Sequence, residues 1–215
     1  MTNPQTIYYL RHAENEANIT GVFSHKAIDL DLTERGWSQA RQVAEFLAAQ
    51  ALGQGPIFAS PLRRSIQTAS VIGERLSRPV VVIEEFREID VGDLEGRAGP
   101  EAVASWWAVL EQWSTGKRDA RFAGGENHHE LTQRLQRGFA KILEAPVPGP
   151  HVLVAHAGVL RAGFKNLATP VPPTQLSIPN CSVSRIEIDT GDAPYSFAYW
   201  ARSDFLEQLT AAEKP

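Results

Sequence analysis

The 215 residues carry 21 Lys and Arg against 25 Asp and Glu, a formal net charge of −4, so no global positive field exists to draw in nucleic acid or an anionic membrane. A hydrophobic content of 43% excludes a disordered or fibrous chain and suffices for one large α/β core, so residues 1–215 are read as a single domain. The lone Cys181 excludes an internal disulfide, no apolar run approaches transmembrane length, and "MTNPQTIYYLRHAE" has no basic n-region; a cytoplasmic protein is expected.

In chain order, apolar runs bounded by Gly, Pro or charge recur at 7–10 ("IYYL"), 56–60 ("PIFAS"), 79–86 ("PVVVIEEF") and 151–156 ("HVLVAH"), and each predicts a buried strand. Helical periodicity fills the intervals: "LTERGWSQARQVAEFLAAQAL" from 32, with Thr33 able to cap it, "LRRSIQTASVIGERLS" from 62, and "NHHELTQRLQRGFAKILE" from 127. The alternation predicts a three-layer α/β sandwich around a mostly parallel sheet. Residues 99–127 interrupt it and read as a helical insertion forming a lid over the active site. "SVSRIEID" and "YSFAYWA" around "TGDAP" read as an antiparallel hairpin at the sheet edge, and "LEQLTAAEKP" as a frayed helix or tail.

Ligands of such sheets bind at the carboxyl ends of the strands. The four exits deliver Arg11 and His12, then Ser60 with Arg63 at the following helix start, then Arg87 and Glu88, then His156. Phosphoryl transfer asks for this set. Arginine forks match phosphate oxygens, neutral imidazole is a competent nucleophile near pH 7, and a protonated carboxyl can supply the leaving oxygen with its proton.

Six ordered stretches, "LRHAENEAN", "DLTERGWSQA", "ASPLRRSIQTA", "FREIDVGDLEG", "AGGEN" and "VLVAHAGVLRA", resemble the histidine phosphatase superfamily, also called phosphoglycerate-mutase-like, over roughly residues 5 to 165. The resemblance implies that His12 is the phosphorylated nucleophile and that Arg11, Arg63 and His156 surround the phosphoryl group. It implies Asn18 as an added donor and Glu88 as proton donor. Ser24 and Glu126 match weaker positions bordering the pocket. The chain departs from the family at Ala13, where Gly is usual, at Asn15, where Ser or Thr is usual, and at Asp31, where Pro is usual; none of these removes a charge the chemistry needs.

The remaining features have plainer readings. Arg64 and Arg87 are taken as solvated neighbours of Arg63 and Glu88. The paired His128 and His129 in "ENHHE" point about 100° apart on a helix and lack Cys support, so no metal and no cofactor is expected. Trp106, Trp107 and Trp113 form an apolar helical face, and Trp107 is taken as the one that lines the pocket. The 68 positions between Glu88 and His156, and the wording of "EIDVGDLEG", resemble the phosphatase branch more than the mutase branch. The expected function is hydrolysis of a small phosphorylated metabolite through phosphohistidine. The alternatives are a mutase that returns the phosphoryl group to substrate and an inactive module that only holds a phosphoester.

Overall fold

A computed structural model describes residues 5–163, 177–188 and 195–206. Six strands form one sheet in the order β3-β2-β4-β1-β5-β6. They are β1 (Gln5–Arg11), β2 (Ile57–Ala59), β3 (Val80–Val82), β4 (His151–Ala155), β5 (Val183–Ile188) and β6 (Tyr195–Arg202). The pairs β1/β4, β2/β4 and β2/β3 are parallel, and β1/β5 and β5/β6 are antiparallel. The predicted parallel sheet with an antiparallel edge hairpin is therefore present, although the turn residues "TGDAP" and the segment from 207 onward lie outside the described residues.

Strands β1, β2 and β4 are buried on both faces because helices cover both, which is why they read as continuous apolar runs rather than alternations; β3, at the sheet edge, is not the buried strand its apolar run predicts, and Val81 and Val82 are exposed. Ile7, Tyr9, Phe58 and Leu153 point into one core layer, while Tyr8, Leu10, Ile57, Val152 and Val154 point into the other, as the two-residue period of a strand requires. The second layer is closed by α2 (Glu34–Ala48) and α3 (Arg63–Leu76) through Val43, Leu47, Ala69 and Ile72. The first is closed by α4 (Pro100–Ser114), α5 (His128–Leu143) and α6 (Ala157–Gly163) through Leu110, Leu135, Phe139 and Val159. Each such fully buried side chain contributes about 1.5–3 kcal/mol. A short α1 (Glu16–Thr20) follows β1.

Helix starts follow local chemistry. The Thr33 hydroxyl accepts from the Gly36 N–H, and Asn127 forms a capping box with Glu130 at the start of α5, each satisfying N–H groups that the first helical turn leaves open. Two further expectations change. The strand expected over 79–86 stops at Val82, and Glu84–Phe86 turn as a 3-10 helix. The insertion is helical only over Pro100–Ser114; beyond it the backbone runs irregularly and makes one isolated bridge between Arg121 and Asn127.

Candidate active site

The register of the parallel strands brings the exits together. Arg11 pairs with Ala155 across β1 and β4, and Ala59 pairs with Val154 across β2 and β4. The pattern continues one residue past the strands, with the His12 N–H donating to Ala155 O at 2.9 Å and the Ser60 N–H to Val154 O at 2.9 Å. His12, Ser60 and His156 thus meet at one end of the sheet. Tyr9 braces this edge: its hydroxyl donates to His156 O at 2.8 Å and accepts from the His156 N–H at 3.2 Å.

A cavity of about 180 Å³ opens there, lined among others by Arg11, His12, Asn18, Ser24, Arg64, Glu88, Trp106, Gly158 and Arg161. His12 is buried, and its Nδ1 lies 2.7 Å from Ala13 O. A carbonyl can only accept, so Nδ1 carries the proton and Nε2 keeps its lone pair. Arg64 Nε donates to that Nε2 at 3.2 Å. Burial, followed by the charges of Arg64 and Arg11, holds the His12 pKa well below the ordinary imidazole value, against a weaker opposing pull from Ala13 O. The ring is therefore neutral at pH 7.

His156 sits behind His12, their ring centroids 5.2 Å apart. It is fully buried, and its Nε2 is 2.7 Å from Ser60 Oγ and 3.4 Å from Ser65 Oγ. Its Nδ1 has no hydrogen-bond partner among the described residues. Burial and then the Arg64 charge push its pKa well down. A buried imidazole with one nitrogen tied to a hydroxyl and the other unpaired is suited to donate to a ligand atom.

Glu88 reaches the cavity from the loop after β3. Its Oε1 accepts from the Ile89 N–H at 2.9 Å and the Val159 N–H at 3.0 Å, and its Oε2 from the Gly158 N–H at 3.1 Å. Gly158 permits this approach, because a Cβ there would lie 2.6 Å from Glu88 Oε1. Behind the loop, Arg134 donates to the carbonyls of Glu85 at 2.7 Å, Arg87 at 2.8 Å and Glu88 at 3.2 Å. The His25 ring also meets Glu88 O at 2.8 Å.

Four of the sequence assignments shift. Arg63 is not at the cavity: its guanidinium points to solvent and pairs with Asp31 at 2.8 Å. Its neighbour Arg64, read from the sequence as a solvated residue, is 3% exposed and faces His12. Helical phase is the reason. Arg64 shares the inward face of α3 with Ser65, Thr68, Ala69 and Ile72, whereas Arg63 falls 100° away. The i, i+4 relation of Arg64 to Thr68 was present in "ASPLRRSIQTA" and would have separated the two. Asp31, the departure from the family's Pro, occupies Arg63 and also accepts from Gln67 at 2.6 Å.

Glu126 is one layer removed from the cavity. It accepts from Arg134 at 2.6 and 2.9 Å and from the Asp90 N–H at 2.9 Å, so it anchors the arginine that holds the Glu88 loop. Trp107 is 43% exposed and does not line the cavity; Trp106 does. Ser24 lines it, and its carbonyl accepts from Arg64 Nη2 at 3.1 Å. Asn18 lines it too, with Oδ1 accepting from the Asn15 N–H at 3.2 Å and Asn180 Nδ2 at 2.9 Å, which leaves its amide N–H groups as the donors it can offer. Arg161, on α6, is a further lining cation that the sequence reading did not single out. His128 and His129 diverge, the first buried with Nε2 against Ala162 O at 3.2 Å and the second exposed beside Asp119.

An α/β sheet that gathers two buried neutral imidazoles, guanidinium groups and a carboxylate at its carboxyl edge defines a phosphoester-handling class of site. The histidine phosphatase superfamily (branch 1) matches residues 7–199, and the chain belongs to that family. It is 33% identical over 201 residues to the protein named "Probable phosphoglycerate mutase GpmB" of Enterobacter sp. (strain 638), covering 90% of this chain and 89% of the relative. Among solved structures it resembles a mycobacterial glucosyl-3-phosphoglycerate phosphatase at 25% identity and a TM-score of 0.74, over 93% of this chain and all of the other. A protein described as mycobacterial hydrolase 1 gives 25% identity and a TM-score of 0.77, over 93% and 99% of the two chains.

Proposed function

We propose that the chain is a phosphomonoesterase in which His12 is the nucleophile and no metal ion takes part. The observation that supports this best is the His12 ring itself. It is neutral, its proton is parked on Nδ1 by Ala13 O, and its Nε2 lone pair is aimed at the donor of Arg64. Nε2 attacks phosphorus, the ester bond breaks, and the phosphoryl group passes to the ring. Arg64 then transfers its donor from Nε2 to a phosphoryl oxygen, and Arg11 and the Nδ1–H of His156 serve other oxygens. These fixed donors supply the charge stabilisation that a divalent ion supplies elsewhere.

Glu88 protonates the departing alkoxide, then as carboxylate takes a proton from the water that hydrolyses phosphohistidine. Its three backbone hydrogen bonds hold the carboxyl group in one place for both steps. The curated relative named as a mutase supports a second reading, in which the phosphoryl group returns to the substrate at another oxygen instead of passing to water.

Incubation with phosphorus-labelled substrate should leave acid-labile, base-stable label on His12, and His12→Ala should lower turnover of p-nitrophenyl phosphate on the order of 10⁴-fold or more. Label on a serine, or full turnover by His12→Ala, would overturn the scheme. Release of inorganic phosphate supports the phosphatase, interconversion of phosphoglycerates the mutase, and tight phosphate binding without either an inactive module. Activity should survive EDTA, and strict dependence on magnesium or zinc would refute the metal-free mechanism.

A further inference from the structure

We propose that Asn180 is a positioning residue for the phosphoryl site: its amide nitrogen ties the His12 carbonyl to Asn18 and so fixes the Asn18 amide as a hydrogen-bond donor to the phosphoryl oxygens. The inference rests on the reading of the cavity as a phosphomonoester site, and it adds a residue beyond the stretches that carry the family resemblance.

The first argument is location. Residues 178–182 precede β5, which pairs with β1, and this segment grips the end of β1 that carries the nucleophile. The Arg11 N–H donates to Ser182 O at 3.1 Å, and the Cys181 N–H reaches Arg11 O at 3.1 Å and His12 O at 3.3 Å. Arg11 Nη1 donates to Ile178 O. The chain turns here through a left-handed Cys181, φ 57°, and both the Cys181 N–H and the Asn180 side chain meet the same His12 carbonyl.

The second argument is the polarity of the amides. A carboxamide end can be turned either way, so its oxygen and nitrogen are told apart by what they face. The His12 carbonyl can only accept, so the Asn180 atom 3.1 Å from it is Nδ2. That nitrogen has two hydrogens, and the second goes to the Asn18 amide 2.9 Å away, which must therefore offer Oδ1. The Asn15 N–H, which can only donate, reaches the same Oδ1 at 3.2 Å. Asn18 is thus held on its oxygen from two sides, and its Nδ2 is left for the cavity it lines.

The third argument is what the reverse orientation would do. Turned over, Asn18 would set its NH2 against the Asn180 NH2 and the Asn15 N–H, and its oxygen against the oxygens of the phosphoryl group. A phosphoryl dianion offers acceptors only, so one rotation would turn an attraction into a repulsion. The Asn15 N–H is backbone and survives any side-chain change, so Asn180 is the part of this lock that substitution removes. Because the same nitrogen holds the His12 carbonyl, the donor is fixed relative to the nucleophile it serves.

The test is a double-mutant cycle read as the dissociation constant of inorganic phosphate, measured by calorimetric titration. Asn18→Ala should weaken phosphate by about 10- to 100-fold, as expected for one hydrogen bond to a charged group. Asn180→Ala should weaken it by about 3- to 10-fold, because the Asn15 N–H still holds Oδ1. Asn180→Asp should weaken it further, by its charge and by turning the Asn18 amide over, and the second part should vanish in the Asn18→Ala background. Added to Asn18→Ala, Asn180→Ala should change affinity by less than about twofold, since nothing is left for it to orient. A residue that only supported its loop would lower affinity equally in both backgrounds. Undiminished affinity in Asn180→Ala, or losses that add in the double variant, would overturn the role. Calorimetry reads the constant of the folded fraction, so partial loss of folded protein does not imitate the effect. A wild type that binds phosphate but fails to hydrolyse p-nitrophenyl phosphate would instead count against the phosphomonoesterase reading, and the cycle would still decide on Asn180.

Discussion

The floor and the wall of the cavity are built differently. The floor is fixed through its backbone: His12, Ser60 and His156 each follow a strand directly and are at most 4% exposed, the first two held by the continuing ladder and His156 by the Tyr9 hydroxyl. The wall is side-chain-made, with Trp106 and Arg161 projecting from two helices and Trp107 packed against them, 43% exposed. A floor of this kind cannot change without disturbing the sheet, so it suits a chemistry common to a family. The part of the wall carried by the inserted helix α4 can be exchanged without disturbing the sheet, so it suits the choice of substrate.

The comparison breaks most visibly at Glu88, which belongs to the floor by its backbone hydrogen bonds and to the wall by its reach toward the leaving group. Glu88→Gln should slow phosphoenzyme formation from alkyl phosphates by about 10²- to 10⁴-fold. Formation from p-nitrophenyl phosphate should slow far less, since p-nitrophenolate leaves without a proton. Single-turnover measurement is required, because dephosphorylation could mask the difference at steady state. Equal losses for both esters would remove Glu88 from the acid role.

The next effect concerns the adjacent arginines. Arg64→Met should lower kcat/KM by about 10²- to 10³-fold, the usual cost of one preorganised donor to developing charge. Arg63→Met should stay within about twofold, since only an exposed pair with Asp31 is lost. Similar losses for the two would contradict the phase of α3.

A smaller effect is expected at Gly158. Ala there would press on the Glu88 carboxylate, whose Oε1 would lie 2.6 Å from the new Cβ, while gaining about 0.5–1 kcal/mol of helix stability over Gly. The carboxylate end of a side chain can give way, so Gly158→Ala should melt close to the wild type. It should nevertheless lose about 10- to 100-fold in alkyl phosphate hydrolysis through misplacement of the acid. A large drop in melting temperature would show that α6 and the Glu88 loop cannot separate.

The smallest test is pH. Burial, and then Arg64, hold both imidazoles neutral below their ordinary range. The folded protein therefore refuses protons that the unfolded chain accepts from about pH 6.5 downward. The contribution of these two groups to stability is complete above that value and is lost progressively as pH falls through it toward the folded values. The acid limb of kcat/KM should lie below about 6.5, and Arg64→Met should move it upward while leaving the effect of burial. A limb above 6.5 would show that His12 is not the depressed group controlling turnover.

Much of this was legible in the sequence because strand exits obey a short-range rule. An apolar run of four or five residues places its next residue at the sheet edge, so Arg11, His12 and His156 could be named from "IYYLRH" and "HVLVAH", and Glu88 from its motif. The order of alternating elements likewise determined the layers. Short range also explains the errors in part, since "PVVVIEEF" reads as one apolar run although Glu84–Phe86 turn away as a 3-10 helix. The i, i+4 relation of Arg64 to Thr68 only hinted at which arginine of "LRR" faces inward, since two adjacent helical residues differ by 100° about an axis whose orientation is set by packing on the sheet, and the tertiary structure made the choice. It alone decided that Glu126 would hold Arg134 rather than a ligand, that Trp106 and not Trp107 would face the cavity, and that Arg161 would reach it at all. Those outcomes depend on where separate helices dock, which is fixed by contacts between residues far apart in the chain and leaves no local pattern to read.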